Sequence, residues 1–211
     1  GATALLGDLD SGLSIEGNLI NAIGGLVEIQ GSPHIEGDVN NSGHISFSHC
    51  AMTCQIDGQL INKGFLSNKV LVPLRFKQLT DVSNNGTIEV NAGGGLGFDR
   101  NLANEPNAVI KLLNGTLAAK TITQKAGATF QGFGGITGNV VIEPNALIKL
   151  TGPTNIVGDV EIKEGATLEI SDGTVLITGL TTCNGGTIRI KGGTIITQGG
   201  TSGLCQTIIE N

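Results

Sequence analysis

Apolar residues along this chain alternate with polar ones in short runs. Val160/Ile162 and Leu168/Ile170 are examples, and turn residues such as Gly165 and Asp172-Gly173 fall between or after the runs. A two-residue period broken by glycine marks strands with one buried face. No run keeps helical period for about ten residues without glycine, proline or a β-branched residue intervening, so minimal helix is expected.

The runs themselves recur. Glu105-Pro106-Asn107-Ala108-Val109-Ile110-Lys111-Leu112 returns almost letter for letter as Glu143-Pro144-Asn145-Ala146-Leu147-Ile148-Lys149-Leu150, 38 residues on. That offset is about two coils of a repeat roughly 20 residues long. Ile148, Leu168, Ile188 and Ile208 are spaced by 20, as are Ile136, Ile156, Leu176 and Ile196. Ile122, Ile142 and Ile162 predict a third column, and Ala126, Ala146, Ala166 and Gly186 a column of small residues.

In the N-terminal half, Ile15, Ile35 and Ile56 each stand two residues before Gly17, Gly37 and Gly58, with Leu19, Val39 and Leu60 following. Asn21, Asn41, Asn62 and Asn84 then line up, with Gly43, Gly64 and Gly86 just beyond the last three. Asparagine tolerates left-handed backbone and can hydrogen-bond the next coil from a stacked turn, so an asparagine ladder is predicted.

The expected fold is all-β: a right-handed parallel β-helix, or β-solenoid, of about ten coils of roughly 20 residues. Strands stacked about 4.8 Å apart pair every backbone group with its neighbours, and ten coils make a rod about 50 Å long. A period near 20, rather than the six-residue step of left-handed hexapeptide helices, favours the right-handed type. Residues 1–211 are read as a single solenoid domain. The stretch 67–104 breaks the pattern, being too continuous at Leu71-Val72-Pro73-Leu74-Arg75-Phe76 and too glycine-rich at Ala92–Arg100, and is expected to leave the rod as lateral loop excursions.

Composition narrows the function classes. Of the 211 residues 34 are glycine, 39% are hydrophobic and only 14% charged, which excludes the low-hydropathy, high-charge pattern of disordered chains. A net charge of −6 with scattered basic residues offers no stripe for phosphates, so nucleic acid is not an expected partner. No run approaches the ~18 apolar residues of a membrane span, so no membrane insertion of this segment is expected. Gly1-Ala2-Thr3 carries neither an initiator methionine nor a signal pattern, and Ile208-Ile209-Glu210-Asn211 stops in register without a capping segment. A processed or excised segment of something longer is the expectation.

The cysteines fall as Cys50/Cys54 and Cys183/Cys205. In a solenoid the two sets lie more than six coils apart, roughly 30 Å, against the ~4.4–6.8 Å between disulfide Cα atoms, so only local pairs remain. Cys183 and Cys205 are 22 residues apart, two beyond strict register, so a bridge there needs the last coil to slip or bend. Cys50 and Cys54 could close a small loop. His44, His49, Cys50 and Cys54 lie within one short stretch, but their spacing does not fit the usual two-plus-two zinc patterns, and no metal or other cofactor is expected.

Catalytic signals are thin. Arg189-Ile190-Lys191 resembles the Arg-Ile-Lys string of polygalacturonases, but the Asn-Thr-Asp, paired aspartates and Gly-His-Gly that complete that machinery are absent from the sequence, and inverting hydrolysis needs two carboxylates across the bond. Arg189 and Lys191 read as outward positions of a strand whose inward residues are Ile188 and Ile190. Asp99-Arg100 is the best single binding candidate, with a solvated loop ion pair as its plain alternative. Sugar grooves favour flat polar-edged rings, yet the chain has no tryptophan or tyrosine and six phenylalanines at or near repeat positions. Asn40, Asn85 and Asn114 sit in Asn-x-Ser/Thr strings that a glycine-rich solenoid produces in any case.

The strings Gly37-Asp38-Val39-Asn40-Asn41-Ser42-Gly43-His44-Ile45, Gly58-Gln59-Leu60-Ile61-Asn62-Lys63-Gly64 and Gly138-Asn139-Val140-Val141-Ile142-Glu143-Pro144-Asn145-Ala146 resemble the repeats of bacterial autotransporter passengers and filamentous-haemagglutinin-type adhesins. The resemblance is one of repeat style over most of the chain, from which the cysteine pairs depart. It implies a secreted or cell-surface rod, not an enzyme, used for adhesion to a host or neighbouring-cell surface or as a stalk. The competing expectations are a carbohydrate-active β-helix enzyme and a fibre subunit stacking end to end on other copies of itself.

Overall fold

The computed structural model describes residues 2–7, 12–48, 54–69 and 73–210. Among them every element is a strand and every pairing is parallel, each strand lying on the one about a coil later. The result is a β-solenoid of about ten turns of roughly 20 residues. Each turn contributes three short faces. Face A is laid down by strands such as Leu26–Ile29, His44–Phe47, Phe65–Asn68, Thr87–Val90 and Thr167–Ile170. Face B holds Gly12–Ile15, Ser32–Ile35, Pro73–Phe76 and Gly95–Phe98, and face C holds Leu19–Asn21, Val39–Asn41, Leu60–Asn62 and Leu102–Asn104. In the middle of the rod single strands, Val109–Gln124 and Thr129–Ile142, run through all three faces.

Alternation puts every second side chain inside, where like stacks on like. Val27, Ile45, Leu66, Ile88, Ile110, Phe130, Ile148, Leu168 and Ile188 form one unbroken face-A column. Phe76 stacks on Phe98 with ring centroids 5.2 Å apart, and Phe47, Phe76 and Phe130 are fully buried. No coil could bury such a face alone, so each depends on its two neighbours.

The two-coil repeat has a local cause. Glu105-Pro106-Asn107-Ala108 is a tight turn with Ala108 N–H donating to the Glu105 carbonyl at 2.9 Å, and Asn107 sits at φ 69°. Proline second and a left-handed residue third is type II chemistry. Lys125-Ala126-Gly127-Ala128, Glu143-Pro144-Asn145-Ala146 and Lys163-Glu164-Gly165-Ala166 repeat it with Gly127, Asn145 and Gly165 at φ 79°, 62° and 68°. Glu-Pro-Asn and Lys-x-Gly turns thus alternate, and opposite charges stack. Lys125 Nζ lies 2.8 Å from Glu105 Oε2, and Lys163 Nζ 2.9 Å from Glu143 Oε1.

Several expected columns shift. Ile156 stacks on Ile177, not Leu176, because the turn at Asp172-Gly173 inserts one residue; Leu176 points outward over Ile196. Two register shifts, between Leu113/Gly115 and Ala118/Thr121, shorten the next coil, so Ile122 stacks on Val140 and Gln124 on Ile142. The same shortening places Ala128, rather than Ala126, one position before the paired Thr129, as Ala108 precedes Val109. A further shift between Asn184 and Thr187 puts Thr207, not Ile208, on Ile188.

Residues 67–104 do not leave the rod as excursions. Pro73–Phe76 pairs in register with the strand Cys54–Ile56 below and Gly95–Phe98 above, and Val82–Asn84 and Thr87–Val90 are likewise in the stack. Gly95 lets the chain run close over the Pro73 ring, and the Leu74, Phe76 and Leu96 side chains fill the core. What remains of the irregularity is a two-residue widening at the corner 77–81, where Leu79 is 82% exposed and Gln78 is buried with both amide atoms unpartnered. Leu71 and Val72 lie outside the described residues.

Candidate functional surface

The most ordered polar feature is the predicted ladder, and it runs further than expected. Asn21, Asn41, Asn62, Asn84, Asn104 and Gln124 occupy one inward column of face C and are all buried. Each Nδ2 donates to the Oδ1 above, at 3.0, 2.9, 2.8 and 2.9 Å, and Asn104 donates to Gln124 Oε1 at 3.0 Å. The amide's second proton goes to a backbone carbonyl opening a face-A strand, as from Asn62 to Thr87 O at 3.0 Å. Above Gln124 the same column continues as Ile142, Ile162 and Cys183, so amide gives way to aliphatic at one level. Asn104 and Gln124 were hidden in the sequence because Glu-Pro and Lys-Ala, rather than a following glycine, come after them; only the 20-residue steps from Asn84 to Asn104 to Gln124 mark them.

At the corner between faces B and C a second ladder uses side-chain oxygens as acceptors. Asn18 Oδ1 accepts from Asp38 N–H and Asp38 Oδ1 from Gln59 N–H, both at 2.8 Å, and Asn139, Asp159 and Leu180 repeat the pattern. The backbones approach so closely here that a Cβ on Gly37 would run into the Gly17 carbonyl.

Several of the charged groups are bound up between coils. Asp99 does not form a site with Arg100: it accepts two hydrogen bonds from Arg75 one coil below, Nε–Oδ1 2.7 Å and Nη2–Oδ2 3.2 Å, and this pairing raises the guanidinium pKa. Arg100 is exposed, with its carbonyl accepting from Lys120 N–H. Asp57 sits 2.8 Å from His34 Nε2, and that bond holds its pKa below the ordinary 3.8. Arg189 and Lys191 do flank inward Ile188 and Ile190, and together with Lys149 they surround Glu169 at 3.8, 3.1 and 3.4 Å. Burial acts to raise the Glu169 pKa, but hydrogen bonds from Lys191, Ser171 and Lys149 outweigh it and leave the group below 4.5.

One concavity opens on face B. Gly134 and Gly135 form its floor, and Asn114, Thr116, Asn155, Thr174, Pro153 and Leu176 rise around a space of about 420 Å³. A Cβ on Gly134, held at φ 136°, would collide with the Gly115 carbonyl, so the dent is built into the backbone. Its rim offers hydroxyls and amides with no ionised group. It can hold a neutral polar group by hydrogen bonds, but it presents no acid or base to move a proton.

Cys183 and Cys205 form a disulfide, Cα–Cα 5.0 Å, made possible by the register shift that follows Asn184. Cys54 is buried, and no described cysteine is a free thiol. The Cys50–Cys54 loop and the His44, His49, Cys50, Cys54 set fall partly outside the described residues; among the described ones no group of three or more His, Cys, Asp or Glu is placed to hold a metal ion. No family model, curated protein or solved structure matches this chain.

Proposed function

We propose that this chain is a non-enzymatic rod working outside the cell, a structural or adhesive module of the kind its repeats resemble. The observation that carries the reading is where the charge goes. Five acids of the kind a hydrolase or lyase would converge on a substrate are here spent in holding one coil to the next, at Asp57, Asp99, Glu105, Glu143 and Glu169. Asp159 and Glu161, which border a recess of about 240 Å³, accept hydrogen bonds from Leu180 N–H and Asn184 Nδ2 of the next coil. What faces outward at the face-B concavity is hydroxyl and amide, suited to many weak contacts with another surface. A disulfide fits an oxidising compartment, since cytosolic thiols are kept reduced.

The test has two arms. Beads coated with the protein are expected to attach to cells or matrix, and attachment should fall when Asn114, Asn155 and Thr174 are changed together to alanine. In parallel the protein is incubated with a panel of neutral and acidic polysaccharides. Any release of reducing ends or unsaturated uronides above a heat-denatured control overturns the proposal in favour of a carbohydrate-active enzyme.

A further inference from the structure

The coil spanning 191–209 is built differently from those beneath it. Columns that are aliphatic below turn polar there. Thr197 follows Ile156 and Ile177, Thr207 follows Leu168 and Ile188, and Gly203 follows Ile162 and Cys183. The column of Val160 is already polar at Thr181 and stays so at Thr201. Each replacement removes part of the apolar contact by which a coil adheres to its neighbour, leaving Ile195 and Ile209 to continue the columns of Val175 and Ile190.

Two further features weaken the docking. Thr181 Oγ1 is buried under Thr201 without a hydrogen-bond partner, a penalty that ends as soon as water reaches it. The ladder between Thr181–Ile190 and Thr201–Ile209 is also interrupted after Asn184.

Against these stands one covalent tie. Cys183 is fully buried, whereas Cys205 is half-buried. A soluble reductant can therefore approach the Cys205 sulfur and displace Cys183.

We propose that Cys183–Cys205 is a thiol-sensitive clasp, whose reduction releases the coil 191–209 and bares the edge of the strand Thr181–Ile190 while the coils below stay folded. A dithiol supplies the chemistry. Its thiolate attacks Cys205 Sγ, the S–S bond breaks, and Cys183 leaves as thiolate and takes up a proton. The second thiol then resolves the mixed disulfide, so two electrons and two protons pass to the protein and the reductant ends as a disulfide.

Hydrogen exchange followed by mass spectrometry, on the full chain before and after dithiothreitol, tests this. Amides of Thr201–Ile209 are expected to exchange at least tenfold faster after reduction, and those of Thr167–Ile170 to stay unchanged. The double variant C183S/C205S should exchange fast in that strand with or without reductant, which separates this bridge from any other that the dithiol reduces. Two results overturn the clasp: unchanged exchange over Thr201–Ile209 once alkylation shows both thiols free, or equal loss of protection in every coil.

Discussion

Asn62 is fully buried, takes a hydrogen bond from Asn41, and gives one to Asn84 and one to the Thr87 carbonyl. Asn62→Ala strands those partners in a dry column, where an unmet polar group costs about 1–3 kcal/mol. A loss of about 3 kcal/mol in chemical denaturation is expected. Gln124→Ile is the milder comparison, because its upper neighbour is already Ile142 and Asn104 keeps the Thr129 carbonyl as a partner, so that one Asn104 proton and the Ala128 carbonyl lose a bond. It should cost about 2 kcal/mol, less than Asn62→Ala. If the two variants fall equally, the amides are filling space rather than bonding. The first four rungs were legible because glycine follows most of those asparagines at a fixed step; the last two were not, since the corner chemistry changes from Asn-x-Gly to Glu-Pro-Asn and Lys-x-Gly turns while the inward position stays the same.

Titration belongs to the same scale. Asp57 and Glu169 both have folded pKa values below their ordinary ones. Such groups add stability above the unfolded carboxylate range, and that contribution disappears as pH falls through the lowered folded value. Denaturation midpoints should therefore be flat near neutrality and drop below about pH 4. Glu169→Gln should flatten part of that drop and lower the neutral-pH midpoint, because Lys149, Arg189 and Lys191 then face one another without their shared anion.

At the level of the element, alternating period and glycine spacing were enough to place strands, but not to place coil lengths. Coils differ by one or two residues at their corners, and each difference moves every later column. A fixed spacing of 20 therefore put Leu176 in the place of the buried Ile177, and put Ile142 instead of Val140 above the buried Ile122. The run 67–104 looked irregular for a related reason: its apolar stretch belongs to a coil with a widened corner, and Gly95 lies where its strand passes closely over Pro73. The alternating turns make a testable element. Lys125→Glu sets three acids in a row with Glu105 and Glu143, so a salt-dependent loss of about 1 kcal/mol is expected. The loss should shrink in 0.5–1 M salt, where the screening length is about 3–5 Å.

For the whole molecule, composition and repeat together were sufficient for architecture and insufficient for a ligand. Architecture follows from what must be buried, and buried positions are readable by period. A contact surface made of neutral hydroxyls and amides, like the face-B concavity, uses the residues that any solenoid exposes, so nothing in the sequence sets Asn155 or Thr174 apart, and Asn114 shows there only within an Asn-Gly-Thr string. Small-angle scattering should return an elongated particle about 50 Å in long dimension, with circular dichroism free of helical minima. A compact, near-spherical profile would contradict the stacked columns.

Because each turn grips only the turn above and the turn below, the response to tension is fixed by that arrangement. Drawn apart from its two ends, the chain should peel in steps of about 20 residues, each releasing some 65 Å of slack. Steps through the amide-zipped turns should demand more force than those through the purely aliphatic ones, and the sulfur tie should hide the final loop until it is cut. A single-molecule sawtooth with that spacing would make the rod a graded tether, yielding a little at a time where a globular module lets go at once.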